Sequence, residues 1–389
     1  MSTPTPFKID IEQSVIDGIL AKVKAYDWHE MPDSGEPLDL SSDAAWAWGT
    51  PLPYMKEVAE YWVSEFDWRK AEAALNRFPQ FRATVDGIDI HYIHSKAENP
   101  TGLPIVISHG WPGSVFEFFD VIDPLNAAGH DVILPSLLGY GFSGKPKAPV
   151  SPRTIARHFA KLMEDTLGHD AYIAQGGDWG SVVTGWLGYE AEACKAIHLN
   201  MQGWVSPGVA PKTEEEKKSA EHAAMMFDLE GGYFRIQSSK PQSLSYAMMD
   251  SPVGQAAWII EKFRTWSDVR DGNLESVYTK DQLLTNIMIY LVSRSFNTAT
   301  WLYNGLFADP SGDPVPVGAR IEKPCGVASF PGDEIYHFAP RSQVTRSLNV
   351  VHWTDMTEGG HFAAMEKPEL FVEDLLKFIA AASTEIGRA

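Results

Sequence analysis

The segment Gly176-Gly177-Asp178-Trp179-Gly180 follows the apolar run Tyr172-Ile173-Ala174 and precedes a helical pattern reaching Gly188. A strand that turns into a helix through small residues on both sides of one reactive side chain is a nucleophile elbow. The turn is strained and crowded, which Gly176 and Gly180 tolerate, and it lifts the central side chain above the sheet. Here that side chain is a carboxylate. An aspartate ahead of a helix can also be an ordinary N-cap, but the glycine density and the partners described next favour a nucleophile. Attack by a carboxylate on an acyl carbon would give an anhydride, whereas attack on a polarised sp³ carbon gives an ester. Epoxides and alkyl halides are therefore the natural electrophiles. The ester must then be cleaved by an activated water, which requires a base and donors for the oxyanion.

Glu358-Gly359-Gly360-His361-Phe362 places an imidazole on a glycine-rich loop after the last strand pattern. Position and order favour His361 over His352 and His337 among the 12 histidines. Phe330-Pro331-Gly332-Asp333-Glu334 ends another strand pattern, with Asp333 chosen as the orienting acid and Glu334 as its rival. The order nucleophile, acid, histidine is that of α/β-hydrolase triads. Upstream, Ser108-His109-Gly110-Trp111-Pro112-Gly113-Ser114 follows a buried strand pattern. The backbone N–H groups of Trp111 and Trp179 are the candidate oxyanion hole, and His109 is read as a brace for that loop.

These residues need a sheet to carry them. Helical patterning runs from Ile9 to about Phe81, interrupted by a connecting stretch with Pro32, Gly35, Pro37, Gly49, Pro51 and Pro53. Within it, Tyr54 to Leu75 carries Val58, Tyr61, Trp62 and Phe66 on one face. At Asp86-Gly87 the pattern becomes a hairpin. Strand-like runs follow at Leu103–Ser108, Asp131–Leu134, Ala171–Ala174, Cys325–Phe330 and Asn349–Trp353. Between Pro207 and Val317 strand patterns vanish and helical ones, including Gln255–Trp266 and Asp281–Leu302, replace them. The expected division is an N-terminal extension (1–83) wrapping core and cap, a first core part (84–206), a helical cap (207–317) and a second core part (318–389). The fold class is α/β: an α/β-hydrolase fold with a mostly parallel central sheet, an inserted helical lid and an N-terminal helical and meandering extension.

Taken together, Tyr61-Trp62, Phe66-Asp67-Trp68-Arg69, the His109–Ser114 and Gly176–Gly180 segments, Asp250-Ser251-Pro252-Val253-Gly254, Glu261-Lys262-Phe263, Thr265-Trp266 and Gly359-Gly360-His361-Phe362-Ala363-Ala364 resemble epoxide hydrolases of the microsomal type. The resemblance covers nearly the whole chain. It implies hydrolysis of neutral aryl or alkyl epoxides to vicinal diols through a hydroxyalkyl ester on Asp178, with His361 and Asp333 activating water. It also implies two lid tyrosines that donate to the epoxide oxygen, matched by Tyr233 and Tyr303, with Tyr246 competing for the first position. The membrane-anchoring N-terminal helix of the animal members is missing. A haloalkane dehalogenase would share Asp178 and His361 but use halide-binding donors instead of the tyrosines. A non-catalytic ligand-binding protein of the same fold is the reading from another class.

Composition narrows the remaining classes. With 32 basic and 51 acidic residues the net charge is −19, a surface that repels nucleic acid and suits a neutral substrate. Cys194 and Cys325 are too few for a disulfide framework or a thiolate metal site. No metal or organic cofactor is expected, and the partners are the small-molecule epoxide and water. The absence of a signal-like or 18-residue apolar stretch predicts a cytoplasmic protein without a membrane anchor. The sequence leaves open whether it forms a homo-oligomer.

Overall fold

Among the residues described by the computed structural model (3–32, 38–204, 206, 208–310 and 315–386), nine strands form one sheet. They are β1 (Thr5–Phe7), β2 (Gln80–Val85), β3 (Ile88–Ser95), β4 (Ile105–Ser108), β5 (Val132–Pro135), β6 (Tyr172–Gly176), β7 (Cys194–Leu199), β8 (Ile321–Ser329) and β9 (Leu348–Asp355). Their order is β1-β2-β3-β5-β4-β6-β7-β8-β9. The first four in that order pair antiparallel, and β5 through to β9 pair in parallel. Every residue of β4, β5 and β6 is buried, because helices cover both faces of a parallel sheet. Such strands read as continuous apolar runs.

Asp86 and Gly87 both have positive φ, 47° and 82°, as a type I′ hairpin requires. The strand before that turn starts at Gln80, so the expected helical pattern to Phe81 overruns it. Gln80 conceals the strand because it is a buried polar residue, donating to Leu75 O at 2.7 Å and facing His91 Nε2 at 2.8 Å. β7 carries no expected strand either, and its apolar run is broken by Lys195 and His198. The buried His198 ring meets Asp374 of the C-terminal helix Pro368–Ile386 at 3.0 Å.

Between β7 and β8 the described residues form only helices, turns and loops. Pro207, at the expected start of the cap, lies outside the described residues, as do Gly35 and Pro37. The expected helix Asp281–Leu302 is two helices, Lys280–Ser293 and Phe296–Ala308. Arg294 adopts a left-handed conformation, φ 52°, and ends the first. Likewise Tyr54–Leu75 divides into Leu52–Ser64 and Trp68–Leu75, where the Asp67 carboxylate caps the second by accepting from Arg69 N at 2.8 Å. Residues 38–75 meet the cap through Arg264–Asp43 at 2.8 Å, Thr50 donating to Ala257 O at 2.7 Å, and Lys280–Glu57 at 2.7 Å.

Candidate active site

β6 ends at Gly176, and the helix Asp178–Glu190 starts two residues later with Asp178 at φ +48°. That conformation costs a non-glycine residue about 1–2 kcal/mol and persists because its neighbours leave no alternative. A Cβ at Gly176 would lie 2.2 Å from Gly180 O, and one at Gly180 would lie 1.8 Å from Ser108 O. The elbow is thus pressed directly onto β4. Asp178 Oδ1 accepts the backbone N–H of Trp111 at 2.7 Å. Gly110 permits that approach, since a Cβ there would fall 2.0 Å from Asp178 Oδ1. The helix N-terminus also favours the negative charge.

His361 lies between two carboxylates. Its Nδ1 is 2.8 Å from Asp333 Oδ2 and its Nε2 is 3.4 Å from Asp178 Oδ2. The second contact is an ion-pair spacing, and among the described residues the buried Nε2 has no closer polar partner. Burial by itself would depress the imidazolium, but Asp333 and Asp178 outweigh it and hold the His361 pKa well above its usual value. The end of the cap helix Pro252–Trp266 fixes this loop: His361 N donates to Trp266 O at 2.8 Å, and the two rings lie 4.8 Å apart. Asp333 is buried, while its rival Glu334 is exposed. Neither alternative histidine reaches the elbow: His352 pairs with Asp374 at 2.7 Å, and His337 faces Ser219 at 3.4 Å.

The loop that presents Trp111 N–H is held from both sides. His109 Nε2 accepts from Leu137 N at 3.0 Å, leaving Nδ1–H to donate to Gly110 O at 3.0 Å. Burial lowers the His109 pKa to about 4, so the ring is neutral and bridges the loop to the residues after β5. From the cap, Asn286 donates to Pro112 O at 2.8 Å and Tyr290 to Gly113 O at 2.7 Å. Trp179 N–H belongs to the first helical turn, which has no intrahelical acceptor.

Tyr233 and Tyr303 meet with ring centroids 5.9 Å apart. The Tyr233 ring stacks on Trp111 at 5.2 Å, and Tyr303 lies edge-on to Trp179 at 4.8 Å. Both are buried, at 3% and 1% exposure, whereas Tyr246 is 75% exposed. Burial, then the neighbouring tyrosines and Asp178, raise the Tyr233 pKa well above 10. Burial followed by Asp178 does the same for Tyr303. Both phenols therefore keep their protons. Among the described residues the buried Tyr303 hydroxyl has no hydroxyl or carboxylate partner. A cavity of about 940 Å³ between the cap and residues 43–50 has Tyr233, Ile236, Trp258, Lys262 and Ile335 among its lining residues, but neither Asp178 nor His361.

Three residues escaped the sequence reading. The Tyr233 hydroxyl hydrogen-bonds that of Tyr336. Glu117 and Glu366 lie within electrostatic reach of His361, and burial, as the largest cause, raises their pKa values to about 8 and about 7. For Glu117 a signal was present: a lone carboxylate inside Val115-Phe116-Glu117-Phe118-Phe119. Tyr336 had none, because no spacing rule links it to a tyrosine 103 residues away.

Known proteins agree with this architecture. Residues 4–118 match the family model for the epoxide hydrolase N terminus, and residues 104–225 match that for the alpha/beta hydrolase fold. The chain is 38% identical to a relative from Stigmatella aurantiaca across 95% of this chain and 83% of that protein. It is 34% identical to epoxide hydrolase 1 of Oryctolagus cuniculus across 96% and 88% of the two chains. The solved structure of Aspergillus niger epoxide hydrolase superimposes with a TM-score of 0.84 at 30% identity, covering 98% of this chain and 97% of that one.

Proposed function

The chain belongs to the microsomal-type family of epoxide hydrolases, and on that premise we propose that it opens neutral aryl or alkyl epoxides to vicinal diols through a covalent ester on Asp178. The observation that carries this reading is the unequal setting of the two Asp178 oxygens. Oδ1 rests on Trp111 N–H, while Oδ2 faces His361 Nε2. Oδ2 attacks an epoxide carbon as Tyr233 and Tyr303 donate to the ring oxygen. Oδ1 then becomes the ester carbonyl oxygen, already on the amide that must stabilise it as an oxyanion, with Trp179 N–H as second donor.

Esterification also arms the second step. It removes the Asp178 charge, one of the two carboxylates that favour the imidazolium, so the ring releases that proton to solvent, regains it when Asp178 is freed, and in between is the neutral imidazole needed to take a proton from water. Asp333 holds Nδ1 and leaves Nε2 facing the ester. Water adds to the Asp178 carbonyl carbon, and the diol leaves with an oxygen that came from Asp178.

That last point supplies the test. Enzyme in molar excess over styrene oxide is run through one turnover in ¹⁸O-water. The expected diol is unlabelled, and ¹⁸O appears in the peptide containing Asp178. Label in the first-turnover diol would mean direct attack of water and would overturn the ester. Asp178→Ala should form neither adduct nor diol.

A further inference from the structure

Tyr336 sits behind the lid tyrosines. Its hydroxyl pairs with that of Tyr233, its ring centroid is 6.0 Å from that of His361 and 5.9 Å from that of Trp266, and its backbone N–H donates to Asp333 Oδ1 at 3.2 Å. One residue thus joins the loop that carries the acid to the phenol read as an epoxide donor. Tyr303, by contrast, has no hydroxyl partner among the described residues, with only the edge of the Trp179 ring beside it. The two lid tyrosines are therefore unequal.

We propose, resting on the ester reading above, that Tyr336 is a positioning residue that turns Tyr233 into the stronger of the two proton donors. A phenol has one proton. If Tyr233 gave it to Tyr336, it could not donate to an epoxide. Without substrate, Tyr233 can donate to Tyr336, and in that order Tyr336 adds to the rise in the Tyr233 pKa. An epoxide oxygen, which only accepts, reverses the pair to Tyr336 O–H on Tyr233 Oη and Tyr233 O–H on the ring oxygen. Such a chain polarises each bond in it. As the Asp178 Oδ2–carbon bond forms, the epoxide carbon–oxygen bond breaks and its electron pair stays on the ring oxygen. That oxygen takes the Tyr233 proton. The resulting phenolate, in a site where burial disfavours charge, keeps the Tyr336 hydrogen bond. In the second step one proton of the attacking water passes through His361 to the departing diol oxygen, and the other returns to Tyr233.

The test is a double-mutant cycle on the alkylation step, read as single-turnover adduct formation from styrene oxide. Tyr336→Phe keeps the ring and removes only the hydroxyl. It is expected to slow the limiting alkylation rate roughly tenfold, the scale of one hydrogen bond. The substrate concentration at half-saturation and the rate of ester hydrolysis should stay unchanged. In a Tyr233→Phe background the same change should cost nothing further, because its effect runs through Tyr233. In a Tyr303→Phe background its cost should persist or grow. Across para-substituted styrene oxides the loss should deepen as the developing alkoxide becomes more basic, which a mere packing defect would not produce.

Unchanged alkylation in Tyr336→Phe overturns the inference while leaving the ester reading intact. Equal losses in the wild-type and Tyr233→Phe backgrounds, or parallel slowing of both chemical steps, also overturn it. If Tyr233→Phe alone alkylates at the wild-type rate, the donor role of Tyr233 falls, and this inference falls with it. Neither result touches the ¹⁸O test, which stands or falls on Asp178 alone.

Discussion

Replacing Asp333 by asparagine tests the division of labour in the proposed triad. The carboxylate has two occupied oxygens: Oδ2 faces His361 Nδ1 at 2.8 Å and Oδ1 accepts Tyr336 N–H at 3.2 Å. An asparagine cannot satisfy both. With its oxygen on Tyr336 N–H, its amide donates to Nδ1, the imidazole moves its proton to Nε2, and the base is lost. With its oxygen on Nδ1–H, its amide opposes the Tyr336 N–H, donor against donor, and the imidazolium loses its counter-charge. Unit charges 2.8 Å apart in an effective dielectric near 20 attract by about 6 kcal/mol, a rate factor of about 10⁴ at ~1.4 kcal/mol per decade. The amide dipole retains part of this, so ester hydrolysis should slow by about 10³–10⁴. Alkylation needs no base, and its rate should stay within about tenfold of wild type. Intact-protein mass spectrometry after mixing with styrene oxide should therefore show Asp333→Asn accumulating the mass of one substrate on Asp178. Glu334→Gln, changed at an exposed position, should turn over normally. Hydrolysis slowed less than tenfold in Asp333→Asn, or a larger loss in Glu334→Gln, would refute the assignment.

Gly110→Ala should fold but lose alkylation, because its Cβ would lie 2.0 Å from Asp178 Oδ1 and 2.4 Å from Asp178 Cβ, pushing the carboxylate off Trp111 N–H. Normal adduct formation in this variant would show that the elbow is looser than its geometry indicates. A pH effect on stability follows from Glu117, whose pKa is raised from 4.5 to about 8, first by burial. Between those values the folded protein binds the extra proton, so Glu117 contributes stability below pH 4.5 that is lost as the pH rises through 8. Glutamine does not ionise, so the melting temperature of Glu117→Gln relative to wild type should climb from pH 5 to pH 8. A difference independent of pH would remove the titration argument.

Much of this protein was legible as local pattern. The elbow, the His109–Ser114 loop and the Gly359-Gly360-His361 loop each place reactive groups and the glycines they need within a few consecutive residues. The buried parallel strands show as apolar runs because both their faces are covered. β7 was not legible, because its buried His198 is satisfied by Asp374 from a helix 176 residues away. Nor was the break at Arg294, where a single left-handed residue divides an otherwise continuous helical pattern.

The amino-acid sequence by itself determined the fold class and the family, and it put a carboxylate at the elbow, because backbone strain, strand burial and loop chemistry are encoded within short windows. Only the tertiary structure decided which carboxylate of the Asp333-Glu334 pair lies against His361, and that Tyr233 rather than Tyr246 enters the buried cluster. It alone put Tyr336 behind Tyr233 and Glu117 beside the triad. These pairings join the first core segment, the cap and the loop after β8 across tens to hundreds of residues. No periodicity spans such distances, and only the packing of the cap on the sheet brings those side chains within hydrogen-bonding reach.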